Sequence, residues 1–222
     1  PKFLQQVNTE LTSTPVDQWR TYLRWHVLRS AADALPEPFV EEKFAFYGKY
    51  LSGATEMKPR SKRCAEDTDN QLGDALGRAY VEKYFPPEAK ARMQDMVRNI
   101  LAAMRDTIDE LDWMSPPTKA KALEKLATFN SKVGYPDTWK DYAGVRIARG
   151  SYLNDFIAAA RWNVADDRAL IGKPVDRARW GMTPPTSNAY YNASLNEIVF
   201  PAAILQPPAF DVNATDAVNY GA

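Results

Sequence analysis

The sequence predicts an α+β protein that is predominantly α-helical. Apolar residues recur at helical spacing in one segment after another as far as Leu170. Only after Trp180 does the pattern switch to strand-like alternation, behind the prolines at 184 and 185. The chain has 222 residues, 45% hydrophobic and 12% aromatic, enough to bury a core in one large domain or two small ones.

From Trp19 to Leu35, the residues Tyr22, Leu23, Val27, Leu28 and Ala31 define an amphipathic helix that Pro36 stops. A second helix is expected after Pro38, with Val40, Phe44, Tyr47 and Leu51 on one stripe and Gly53 at its exit. MKPRSKRC, ending at Cys64, reads as a basic, proline-containing connection. Leu72, Leu76, Ala79, Tyr80 and Tyr84 mark a third helix, where Gly73 and Gly77 would let another backbone approach closely. After Pro86-Pro87 the stripe Met93, Met96, Val97, Ile100, Leu101, Met104, Ile108 and Leu111 gives the clearest helix, and core packing is its natural role. Ser115 before Pro116 suits an N-cap for a short helix through Leu123, Leu126 and Ala127, expected to end near Lys132. VGYPDTWKDY, from Val133, reads as an aromatic-rich turn, and Tyr152 to Leu170 is helical again.

In the last part, Tyr190, Asn192 and Ser194 alternate, and Ile198, Val199 and Phe200 follow, so two short strands are expected around a polar turn from Ala193 to Asn196. The organisation is a helical body of about 150 residues, then a further helix and a β-ribbon: residues 1–150 and 151–222.

Charge and composition exclude several functions. Lys plus Arg and Asp plus Glu number 28 each, and without a long single-sign run no footprint for nucleic acid or an anionic membrane is expected. Apolar runs are short and interrupted by charge, so no membrane contact is expected from this chain, and its first residues lack the apolar core of a signal peptide. The single histidine, His26, cannot form a two-histidine metal site. Cys64, the one cysteine, has no histidine near it in sequence to serve as a base. The ten glycines are scattered and make no phosphate loop. Asp106 with Asp109 and Glu110, and Asp166 with Asp167, read as solvated helix faces. The expectation is that this chain alone carries neither catalytic residues nor a metal site.

The ribbon is chemically more suggestive. Asn188 offers a side-chain amide beside an accessible strand edge, where an extended peptide could pair. The pattern alone favours a ribbon that only packs its aromatics on the helical body.

NAYYN from Asn188, IVFPA from Ile198, ILQPP from Ile204 and the tail Asp216–Gly221 together resemble the segment preceding the zinc helix in the neprilysin and endothelin-converting-enzyme family of zinc metallopeptidases. SKRC from Ser61, ALGRAYVEKYF from Ala75, LDWMSPPTKAKALEKL from Leu111 and VGYPD from Val133 extend that resemblance, in order, over nearly the whole chain. The resemblance implies a helical lid domain roofing a substrate chamber, then the start of a thermolysin-like catalytic domain. It implies a zinc endopeptidase that hydrolyses oligopeptides with zinc-activated water. Its H-E-x-x-H helix is expected beyond Gly221, in the C-terminal remainder of the same enzyme.

The resemblance further assigns Asn188 and Ala189 to the substrate backbone and Ile204 to the pocket for the side chain after the scissile bond. Where relatives commonly carry two aromatics after the double proline, this chain has Ala209 and then Phe210. Cys64 matches a cysteine that extracytoplasmic relatives pair with a partner upstream of Pro1, which implies a periplasmic or secreted protein. From a different class, a non-catalytic helical peptide- or protein-binding module would also account for the ribbon.

Overall fold

The computed structural model of the protein describes residues 2–222. It is α+β and mostly helical, with a single small sheet among the described residues. The chain divides into two compact units: the part up to Arg63 with Val145–Asn163, and Cys64–Gly144 with Val164–Ala222.

In the first unit, α1 (Lys2–Ser13) buries none of its residues. Pro15 precedes α2 (Val16–Ala31), whose Asp17 and Arg29 complement the helix dipole at its two ends. The expected helix to Leu35 tightens into a 3-10 turn over Ala32–Ala34, and Pro36 then holds the chain extended for a new start. The helix expected after Pro38 is divided, with α3 (Glu37–Lys43) widening into a π-helical stretch over Phe44–Leu51. That widening breaks the projected stripe: Val40 is buried, whereas Leu51 is exposed. A cavity of about 580 Å³ lies within this unit, lined by Trp25, Leu28, Arg29, Phe39, Glu42 and Phe46 among others.

The second unit holds the main core. Helix α4 (Arg60–Tyr84) starts earlier than expected, so Ser61–Cys64 are helical rather than a connection, and Leu72 leaves helical geometry at a kink. Pro86 and Pro87 open α5 (Pro87–Glu110), and Ser115 caps α6 (Pro116–Ala127) by accepting the Thr118 N–H at 3.4 Å. Val81 and Phe85 from α4 and Ala89, Met96 and Val97 from α5 meet Val133, Ala202, Leu205 and Phe210 in one apolar cluster. Met96, Val97 and Ile108 of the α5 stripe are thus buried, and Met93 and Leu101 pack against the cluster, while Ile100 and Met104 remain exposed.

Helix α6 ends at Ala127 rather than near Lys132, because Asn130–Gly134 form a strand, β1, where a turn was expected to begin. β1 pairs in parallel with β3 (Glu197–Pro201), which pairs antiparallel with β2 (Tyr190–Asn192), giving the order β1-β3-β2. Both ribbon strands and their turn thus lie where the alternation placed them. Asn196 takes the left-handed conformation there (φ 49°) and donates through Nδ2 to the Lys125 carbonyl at 2.7 Å, fastening the turn to the end of α6. Glu197 is 1% exposed and pairs with Lys132 at 2.9 Å. Helix α7 (Tyr152–Arg168) falls where the periodicity put it, and a short α8 (Asp216–Gly221) closes the described chain.

At Gly73 and Gly77 the close approach is made by a threonine side chain and a proline ring rather than by the backbone expected. A Cβ on Gly73 would stand 2.3 Å from the Thr183 methyl, and one on Gly77 would stand 2.7 Å from the Pro184 ring. Only glycine lets this loop lie directly on the helix backbone.

Candidate functional site

The residues singled out in the sequence converge on one end of the β2–β3 hairpin. Tyr190 pairs with Val199 near the close of β3, so the approach to β2 through Asn188 and Ala189 lies beside the exit from β3 that leads to Ile204. One hydrogen bond joins the two sides, from the Ala203 N–H to the Pro184 carbonyl at 2.9 Å. Asn188 is exposed, Ala189 is half-buried, and Ile204 is half-buried against the core cluster. Ala209 is exposed, whereas Phe210 is buried in that cluster, so the aromatic after the double proline serves the core.

β2 is an edge strand: β3 covers one side of it, and among the described residues nothing pairs with the other. Such an edge can accept an extended chain through main-chain hydrogen bonds. Asn188 Oδ1 accepts the Ala189 N–H at 2.8 Å, which sets the orientation of the side-chain amide. Its Nδ2 has no hydrogen-bond partner among the described residues and faces solvent as a free donor.

The edge rests on a polar underside. Tyr190 Oη accepts the Gly181 N–H at 2.8 Å; burial pushes its phenol above the ordinary value, and the nearby Glu197 charge adds to this. Lys132 Nζ donates to the Arg179 carbonyl at 2.6 Å as well as to Glu197. Asp166 binds both Lys140, at 3.1 Å, and Arg179. Burial raises the Asp166 carboxyl, but the hydrogen bonds and charges of Lys140 and then Arg179 outweigh burial and hold it below the ordinary value. It is more than the solvated surface carboxylate expected from sequence, whereas Asp167 is largely exposed, at 77%.

Sequence reasoning missed Asp69. Its Oδ2 accepts the Thr183 hydroxyl at 2.9 Å, and its Oδ1 is buried without a partner among the described residues. Burial pushes its carboxyl above the usual carboxylate value, against the effect of the Thr183 bond. Tyr142, whose phenol is raised chiefly by burial, also feels the carboxylates of Asp74, Asp166 and Asp69. Nothing in the sequence around Asp69, set among Glu66, Asp67 and Asn70, distinguishes it from a solvated helix face.

These side chains do not fit a metal centre. No group of three or more His, Cys, Asp or Glu comes together to hold a metal ion among the described residues. His26 packs edge-on to Tyr22 and Trp25 on α2, with ring centroids at 4.3 and 4.7 Å. No helix among the described residues is long and apolar enough to cross a membrane.

A mostly helical α+β protein with a small sheet ending in an accessible edge strand is the class these features define. The chain belongs to peptidase family M13: the family's N-terminal signature matches residues 1–136 and its second signature matches residues 188–222. It is 34% identical over 208 residues to Neprilysin-3 of Drosophila melanogaster, covering 90% of this chain and 26% of that protein. It is 28% identical to neprilysin of Homo sapiens, covering 100% of this chain and 30% of that protein. The zinc metalloprotease Zmp1 of Mycobacterium tuberculosis in its open state superposes with a TM-score of 0.84 at 45% identity, covering 100% of this chain and 34% of that one. PepO of Lactobacillus rhamnosis matches with a TM-score of 0.78 at 32% identity, covering 87% of this chain and 31% of that one. The chain thus spans about a third or less of the length of these relatives.

Proposed function

We propose that this chain is part of a zinc-dependent endopeptidase and supplies the edge on which an extended peptide substrate is held. Residues 1–150 roof the substrate chamber, and residues 151–222 open the catalytic part. The observation that carries this reading is the one-sided strand β2 with the free Asn188 amide at its head, within the segment 188–222 that matches the family.

A peptide laid along β2 pairs with its open edge. Asn188 Nδ2 donates to a substrate carbonyl while its Oδ1 stays on the Ala189 N–H, so the donor meets the peptide already oriented. Ile204, at the same end of the hairpin, offers the apolar wall for the side chain after the scissile bond. In the complete enzyme a bound zinc ion would supply Lewis-acid polarisation of the scissile carbonyl and an activated water. In this reading its ligands and the catalytic glutamate belong to the C-terminal remainder of the enzyme, as the resemblance of residues 188–222 to the segment preceding the zinc helix implies. We read the whole protein as extracytoplasmic, the location that the resemblance implies through Cys64, whose exposed thiol is accessible to a partner cysteine.

Asn188→Ala in the complete enzyme tests the edge. Losing a substrate hydrogen bond costs about 1–3 kcal/mol, so kcat/KM should fall roughly tenfold to a hundredfold while zinc content and the unfolding midpoint stay unchanged. Wild-type hydrolysis across a panel of peptides would return the ribbon to a packing role.

A further inference from the structure

We propose that Asp69 and Thr183 are positioning residues for the Asn188 edge, locking the loop that carries it onto α4. The inference rests on the substrate-binding role proposed for Asn188 and adds what holds that amide in place.

An unbroken series of hydrogen bonds leads from the helix to the edge. Thr183 Oγ1 donates to Asp69 Oδ2 at 2.9 Å and lies 3.0 Å from Thr186 Oγ1. The Thr186 N–H donates to the Thr183 carbonyl at 3.0 Å, and the Asn188 N–H donates to the Thr186 carbonyl at 3.0 Å. Each bond fixes the next, so the direction of the Asn188 backbone is set by where Thr183 docks.

The dock is shaped for that one residue. The α4 kink at Leu72 falls between Asp69, which receives the Thr183 hydroxyl, and Gly73, whose bare backbone receives its methyl. A β-branched side chain held on both branches has a single rotamer left to it. One turn further along α4, the Pro184 ring lies over Gly77, and the Pro184 carbonyl accepts from Ala203 beside Ile204. The apolar wall thus has a seat of its own, Pro184 on Gly77, apart from the Thr183 anchor that sets the amide.

A loop that needed only to be packed would be served by valine at 183 and an apolar residue at 69. The protein instead keeps a carboxyl in a site where Oδ1 is buried and unpartnered, at a cost in stability. That cost is intelligible when the hydroxyl–carboxylate bond is needed for orientation rather than for packing, since a hydrogen bond fixes angle as well as distance.

The test is a double-mutant cycle in the complete enzyme, read as kcat/KM on an extended peptide. Thr183→Val and Asp69→Ala should each lower it about five- to tenfold, with Thr183→Ser within about twofold of wild type because its hydroxyl is kept. In an Asn188→Ala background Thr183→Val should cost nothing further, since the anchor acts through that amide. Thr183→Ala, which removes the hydroxyl without adding bulk, carries the same test should valine not be accommodated.

Additive losses in the double mutant would overturn the proposal, and so would wild-type efficiency of Thr183→Val and Thr183→Ala beside an impaired Asn188→Ala. Were Asn188→Ala itself neutral, the edge assignment would fall first and this inference with it. The two failures are thereby distinguishable.

Discussion

Cys64 lies exposed near the start of α4 as a free thiol. Its side chain reaches solvent and takes no part in the core, so oxidation with another cysteine would not disturb the packing of the second unit. If the complete protein works in an oxidising compartment with Cys64 paired to a residue upstream, native protein should label slowly with a thiol reagent and rapidly once reduced. Rapid labelling of native, unreduced protein would remove both the bond and the proposed location.

Single residues were unequally legible. Gly73 and Gly77 announced a close approach because glycine in a helix interior is costly unless something needs the space, and Thr183 and Pro184 fill it. Asn188 stood out as an amide preceding a strand. Asp69 did not, because its meaning comes from Thr183, 114 residues away, and no local spacing encodes such a partner.

At the scale of elements, helices were the easiest to read, since their apolar period and proline stops are local signals. β1 was missed because Asn130–Gly134 is short and lacks alternation; its strand character comes from parallel pairing with Glu197–Pro201. The π-helical stretch was missed for a related reason. Phe44–Leu51 carries an ordinary helical stripe, and the wider turn appears only in the folded unit.

The β1–β3 pairing also encloses the Lys132–Glu197 ion pair, 8% and 1% exposed, with Asn130 Nδ2 donating to the same carboxylate oxygen at 3.3 Å. Removing one charge from a buried pair leaves the other uncompensated, a loss of about 3–5 kcal/mol. Glu197→Gln should therefore lower stability by about that much in urea unfolding, whereas replacing both members with apolar residues of similar volume should cost less. Equal losses from the single and double replacements would mean that strand register, rather than charge compensation, accounts for the effect.

For the whole molecule, burial is divided unevenly between the two units, and local stability should follow it. Every member of the main apolar cluster, from Val81 to Phe210, belongs to the second unit. The first unit contributes Ala31, Ala32, Val40 and Ala159 to the buried apolar residues, all small. α1 is the extreme case. Its 12 residues include none that is buried, and Phe3, Leu4 and Leu11 are 76%, 66% and 61% exposed. A helix of that length without tertiary packing is marginal in water, because the cost of nucleation is barely recovered within about 12–15 residues. Amide exchange in the 222-residue chain should accordingly be fastest in α1, near the rate of an unstructured peptide, and slowest around Met96 and Val97 of α5 and in β3. Hydrogen-exchange mass spectrometry reads this order directly. Protection of α1 comparable to that of α5 would show that the N-terminal helix draws its stability from apolar contacts, which would contradict its complete lack of buried residues.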